Sequence, residues 1–121
     1  MKRDLDLVRK ILLQMEAAEH GFFKGPLTIA DHSDEEIGYH VFLMSQAGLV
    51  KALPDSEINS QSPHATPINI TWAGHEFLEA SKDDGLWNKA KTHVLKPAGG
   101  AAFDVLLEWL KSEAKQRLGL S

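Results

Sequence analysis

A chain of 121 residues with 43% hydrophobic and 25% charged side chains can bury one core unaided and has the composition of an ordinary globular protein. The absence of cysteine excludes a disulfide framework, a thiolate metal site and a cysteine nucleophile. The formal net charge of −4 is uneven. Residues 25–81 carry one basic side chain, Lys51, against eight acidic ones, whereas residues 1–24 carry five basic against four acidic and residues 82–121 seven against five. An acidic middle repels polyanions and disfavours docking on phosphates.

The first predicted element is an amphipathic helix. Leu5, Val8, Ile11, Leu12 and Met15 recur at helical spacing, Asp4 is a suitable N-cap, and the pattern fades at His20-Gly21. Phe22, Phe23 and the run Leu27 to Ile29, broken by Gly25-Pro26, predict a loop leading into a short strand. Ser33-Asp34-Glu35-Glu36 has the form of a capping box and opens a second helix, with Ile37, Val41 and Met44 on its buried face. Gly48 is placed to cap that helix at its C-terminus.

Leu49 to Leu53 then reads as a strand, and the polar stretch Pro54 to Pro67 as a mobile hairpin tip. Ile68-Asn69-Ile70 alternates as the returning strand. Thr71 is a good N-cap for a helix carrying Phe77 and Leu78, and Asp83-Asp84-Gly85 punctuates before Leu86, Trp87, Ala90 and Val94 resume helical spacing. Pro97-Ala98-Gly99-Gly100 breaks the chain again. A last helix from about Phe103 to Leu118 carries Phe103, Leu106, Leu107, Leu110, Ala114 and Leu118 on one stripe.

This order predicts an α+β, predominantly helical protein: a winged helix-turn-helix-like domain with a degenerate second helix and a C-terminal helical extension. The whole chain, 1–121, reads as one domain, with residues 5–82 as the winged-helix-like core and 83–121 as the extension. Between Pro26 and Ser33 there is little room for the second helix of a helix-turn-helix. The charged N-terminus has no apolar signal region and no stretch approaches membrane-spanning length, so a cytoplasmic location is expected.

The opening Met1-Lys2-Arg3-Asp4-x-Asp6-Leu7-x-Arg9-Lys10-Ile11-Leu12-Leu13 resembles an uncharacterised bacterial and phage family classed as a domain of unknown function. Tyr39-His40, Gln46-Ala47-Gly48-Leu49, Thr71-Trp72-x-Gly74-His75-x-Phe77-Leu78, Asp83-Asp84 and Trp87-Asn88-Lys89 extend the resemblance over almost the full length. The resemblance implies a winged-helix-like small protein, often encoded in phage or prophage regions, and no catalytic residues. A looser similarity, through Ile70-Thr71-x-x-Gly74, is to winged-helix transcriptional regulators.

A DNA-reading winged helix anchors on phosphates with Lys and Arg. Here the face of the second helix opposite Val41 carries Glu35, Glu36, Tyr39, Phe42, Leu43 and Gln46, and of these only Gln46 could read a base easily. Tyr39, Phe42 and Leu43 instead form an apolar patch that either packs internally or meets a second copy or another protein. The alternative, a DNA-binding regulator, would rely on Lys2, Arg3, Arg9 and Lys10 with Lys111, Lys115 and Arg117.

Six histidines (His20, His32, His40, His64, His75 and His93) raise the question of a metal, and His75-Glu76-x-x-Glu79 comes close to a zinc-protease helix. Glu79 stands where the second histidine is needed, so no metal site is expected. His40 and His75 read as satisfied core or rim histidines, Asp83-Asp84 as a helix cap, and Trp72 and Trp87 as core. The expectation is therefore a binding module without catalysis or cofactor. It would take a protein partner or form a homodimer, with Tyr39, Phe42, Leu43, Gln46 and Leu110 at the interface, and would engage no membrane.

Overall fold

The computed structural model describes residues 1–95 and 102–119. Its elements are α1 (Leu5–Glu16), α2 (Asp34–Gln46), β1 (Val50–Pro54), β2 (Ala65–Ile70), α3 (Trp72–Ser81), α4 (Asp84–Ala90), a π-helical turn (Lys91–Leu95) and α5 (Phe103–Arg117). The class is α+β and predominantly helical, with one two-stranded antiparallel sheet among the described residues. The breaker expected at Pro97 to Gly100 lies outside those residues. The chain packs as two compact units, Met1–His75 and Glu76–Ser121, whose boundary falls inside α3.

In the first unit, α1 begins where its capping chemistry dictates. The Asp4 carboxylate accepts from the Asp6 and Leu7 amides, and Leu5, Leu7, Val8, Ile11, Leu12 and Met15 are buried. Each such side chain contributes about 1.5–3 kcal/mol gross when withdrawn from water. The helix stops at Glu16, short of the expected His20-Gly21, because the Ala18 amide closes a tighter turn on Met15. Ser33 caps α2 by accepting from the Glu36 amide at 3.1 Å. Glu36 does not complete the reciprocal half of a capping box, since its carboxylate pairs with His32 Nδ1 at 2.5 Å.

The strand expected at Leu27 to Ile29 is absent. The side-chain amide of Gln14 takes both main-chain groups of Thr28, donating to its carbonyl at 2.9 Å and accepting from its amide at 3.0 Å. A side chain thus supplies the partner that a strand would have found in a sheet. A single main-chain bond links this loop to the sheet, where the Phe23 amide donates to the Ile68 carbonyl at 2.8 Å. No helix forms between α1 and α2, in keeping with the short space before Ser33.

β2 is longer than Ile68 to Ile70 because Ala65, Thr66 and Pro67 also pair with β1, across a register shift at Lys51/Ala52. The shift leaves Ile68 as the extra residue of a bulge, and Pro67 needs no ladder donor beside it. Within the expected hairpin tip, Pro54 to Pro67, residues 55–64 are linked by both main-chain and side-chain bonds. Asp55 N–H donates to the His64 carbonyl at 3.0 Å, Ser56 Oγ accepts from the His64 amide at 2.7 Å, and Ser60 Oγ accepts from the Glu57 amide at 2.9 Å.

The junction of α2, the sheet and α3 is tied at four residues. Gly48, at φ +78°, ends α2 with its amide on the Ser45 carbonyl, while the Leu49 amide reaches back to Met44 at 2.9 Å. This paired closure requires a left-handed residue, which glycine adopts without a Cβ penalty. Thr71 N–H donates to the Leu49 carbonyl at 3.1 Å, its hydroxyl donates to the Gly48 carbonyl at 2.5 Å, and the same oxygen accepts from the Gly74 amide at 3.1 Å. A Cβ at Gly74 would sit 2.0 Å from the Leu49 carbonyl oxygen.

The second unit packs Phe77, Leu78, Leu86, Trp87, Ala90, Leu106 and Leu110. The Phe77 ring meets Trp87 edge-on at 5.9 Å and Phe103 at 5.0 Å. Asp83 caps α4 by accepting from the Leu86 amide at 2.7 Å and pairs with Arg117 at 3.1 Å; these contacts, the amide first, lower its pKa from the ordinary carboxylate value. Leu118 lies past the last helical turn and is exposed. Trp87 is core as expected, whereas Trp72 is 82% exposed. Trp72 precedes Phe77 by five residues, which at about 100° per residue sets it about 140° round the helix from the buried face.

These contacts separate two kinds of glycine. Gly74→Ala should lose at least about 2 kcal/mol, because the new methyl collides with main chain that cannot rotate away. Gly48→Ala, with open space around the position, should lose about 1 kcal/mol from the left-handed backbone alone. Chemical denaturation of both variants checks the order; a Gly74→Ala protein as stable as the parent would refute this account of the junction.

Candidate interaction surface

The structure distributes the expected interface residues unevenly. On α2, Tyr39, Phe42 and Leu43 are half-buried and Gln46 is exposed. Leu110 is wholly buried in the second unit, so it is a core residue and offers no surface. Its place on the α5 stripe is the same for both roles, which is why periodicity alone did not separate them.

The basic residues that would serve a nucleic-acid reader are largely engaged. Arg9 is buried at 7% exposure. Lys10 pairs with Asp6, Lys111 with Glu76 and Arg117 with Asp83, at 3.4, 3.1 and 3.1 Å. Lys2, Arg3 and Lys115 are exposed. Lys2 and Arg3 belong to the first unit and Lys115 to the second, so neither unit by itself gathers the seven cations into one patch.

Among the histidines, His40 is fully buried and satisfied at both ring nitrogens. Nε2 accepts from the Asp4 amide at 2.9 Å and Nδ1 donates to the Glu36 carbonyl at 2.8 Å, which fixes a neutral ring tying the start of α1 to α2. His75 is exposed and so is not a core residue; it sits on the flank of α3, at the side of the largest cleft. Among the described residues, no three His, Asp or Glu side chains are gathered to hold a metal ion. No described helix is long and apolar enough to cross a membrane.

Three clefts indent the first unit. The largest, about 580 Å³, lies between the end of α1, the Gly21–Phe23 loop and β2, with Met15, Phe22, Phe23 and Ile70 as its apolar walls and His20 and His75 at its sides. A second, about 380 Å³, runs between α2 and β2 over Ile37, Val41 and Ala65, with Asp34 and His64 beside them. A third, about 410 Å³, lies at the hairpin tip, shares His64 with the second and is lined by Glu35, Asp55, Glu57 and Ser62. None of the three is lined by Lys or Arg.

His64 is the hinge of this arrangement, and the sequence did not single it out. Its ring lies against Gly38 so closely that a Cβ there would fall 1.9 Å from Cδ2. Nδ1 pairs with the Asp55 carboxylate, whose other oxygen accepts from the Thr66 hydroxyl at 2.5 Å. The hydroxyl first, and then the His64 ring, lower the Asp55 pKa from the usual carboxylate value. The signals were a glycine inside a helix and an Asp and a His at opposite ends of a loop, neither meaningful until the hairpin closes.

A group whose folded pKa is depressed stabilises the fold above its unfolded pKa and ceases to do so as pH falls through the folded value. Amide protection factors across residues 55–66, corrected for the intrinsic pH dependence of exchange, should therefore fall on acidification below about pH 4, ahead of those in the α1 core. In Asp55→Asn that acid-dependent loss of protection should disappear. Unchanged pH dependence in the variant would show that the carboxylate does not hold the loop.

With this geometry in hand, comparison with known proteins places the chain. The family of hypothetical proteins designated DUF2513 matches over residues 2–101. An uncharacterized protein of Haemophilus influenzae is 31% identical over 121 residues, spanning 98% of this chain and 99% of its own. No solved structure matches. The chain therefore belongs to the uncharacterised family DUF2513.

Proposed function

We propose that this protein is a non-catalytic, winged-helix-type binding module whose partner is another protein, a second copy included. In this reading α2 holds the place of a recognition helix and the β1–β2 hairpin that of the wing. The observation that carries it is the lining of the three clefts: apolar side chains and carboxylates, with no Lys or Arg. Phosphate contacts supply most of the sequence-independent affinity of a DNA-binding domain, and a surface without cations forgoes them. Exposed aromatic side chains suit a protein interface better: Phe22, beside the largest cleft, is 67% exposed.

The interface is centred on the clefts flanking β2 and excludes Leu110; Tyr39, Phe42, Leu43 and Gln46, on the α2 face opposite Val41, line none of the three clefts. A DNA-binding role through Lys2, Arg3 and Lys115 is disfavoured because Arg9, Lys10, Lys111 and Arg117 are buried or paired. Among the described residues no three His, Asp or Glu side chains are gathered to hold a metal ion.

Affinity capture from the native host, with and without nuclease, tests the reading. A protein partner should be retained in both samples and lost with Phe22→Asp, and light scattering shows whether that partner is a second copy. Material released wholly by nuclease, or tight binding of random duplex DNA at about 50 mM salt that weakens steeply as salt rises, would replace the proposal with a nucleic-acid role.

A further inference from the structure

We infer that the cleft between α2 and β2, together with the acidic groove beyond His64, is a docking site for an extended basic segment of a protein partner, apolar residues entering the first and Lys or Arg side chains the second. The inference rests on the binding-module reading and names the site and the chemistry of what occupies it.

The two depressions share one side chain. His64 lines both, and its ring is fixed from two directions: the Asp55 carboxylate holds Nδ1, and Gly38 lets the ring lie directly on the α2 backbone. On one side of this ring the walls are apolar, with Ile37, Val41 and Ala65 buried to within a few percent. On the other side they are Glu35, Asp55 and Glu57. A site with apolar walls and a few oriented polar groups is the usual form of a specific binding cleft.

Charge decides the occupant. Asp34 stands on the apolar side and Glu35, Asp55 and Glu57 on the other, with no Lys or Arg lining either. Glu35 accepts from the Ser62 hydroxyl at 2.8 Å and Asp55 from Thr66 and His64, so two of the carboxylates are already oriented. These contacts are to hydroxyls and an imidazole and leave the local excess of negative charge without a Lys or Arg partner. An incoming anion meets four carboxylates, whereas a guanidinium or ammonium gains from each and can bond carboxylates bidentately. A purely apolar ligand would leave the acidic half unused. A segment of protein in extended form carries both side-chain types in alternation and fits both halves.

The test uses the full chain and a defined probe: an acetylated, amidated hexapeptide of alternating leucine and arginine, which presents both side-chain types in every register. Its control replaces each arginine with citrulline, which keeps the shape and part of the N–H donor set and removes the charge. Titration followed by NMR should shift the amides of Gly38, His64 and Thr66, with the citrulline peptide at least tenfold weaker. Glu35→Gln combined with Glu57→Gln, a change that keeps the acceptor for Ser62, should weaken the arginine peptide tenfold or more while leaving the parent's spectrum otherwise intact. Equal affinity for the two peptides, no shift at millimolar arginine peptide, shifts confined to the Met15–His75 cleft, or undiminished binding by the double variant would each overturn the assignment. If a partner captured from the host survives the double variant, the site is wrong and the module reading stands; if nothing but nucleic acid is captured, the module reading itself falls.

Discussion

The contact on which the first unit depends is the seating of α3's first turn on the carbonyl of Leu49. Only a residue without a Cβ can bring the helix that close, and Gly74 does so while Thr71 uses its amide and both functions of its hydroxyl to hold Gly48, Leu49 and Gly74 together. The junction settles three directions at once. Gly48 sets where α2 ends, Leu49 where β1 begins, and Thr71 where β2 gives way to α3. With those directions set, α2 and the sheet share the interior formed by Ile37, Val41, Met44, Leu49, Val50 and Ala65. The clefts beside β2 are consequences of this frame: Ile37, Val41 and Ala65, which belong to that interior, also floor the cleft between α2 and β2.

What could be read in advance follows from the range of each interaction. Asp4, Ser33, Thr71 and Asp83 were legible as caps because a capping side chain bonds an amide two or three residues on, within the span a sequence pattern covers. Gly48 was legible for the same reason. Gly74 was visible as part of a motif, but its reason, the distant Leu49 carbonyl, was not. The failures are contacts that close long loops. Gln14 dissolves the expected strand at Thr28 from fourteen residues away, and nothing in a window around Thr28 announces it.

The exposure of Trp72 teaches a related lesson. A tryptophan at a strand-to-helix corner reads as core on hydrophobicity, yet the helical phase that buries Phe77 and Leu78 carries position 72 to the opposite side. Leu110 went astray in the other direction, an interior residue assigned to an interface. The Trp72 error came from ranking residue type above phase; for Leu110 the phase fits both roles, and only its neighbours in the fold separate them. The candidate site shows the same limit: the asymmetry of charge in residues 25–81 was plain from composition, but that Asp34, Glu35, Asp55 and Glu57 surround one histidine required the hairpin to fold back onto α2.

That convergence also bears on why the acidic residues are tolerated. Four carboxylates near one another repel, and a fold gains nothing from gathering them unless each has some local compensation. The compensation is partial here. Asp34 and Glu35 lie in the first turn of α2, where the helix dipole favours negative charge, and Asp55 is held by Thr66 and His64. Glu57 has no such role in the hairpin beyond its main-chain bonds with Ser60. The helix terminus and the hairpin knot therefore keep a surface in place whose remaining electrostatic energy is unfavourable to the isolated chain. A cationic partner of the kind proposed would relieve that energy on arrival, its binding then strengthened by repulsion stored in the fold rather than by new contacts alone.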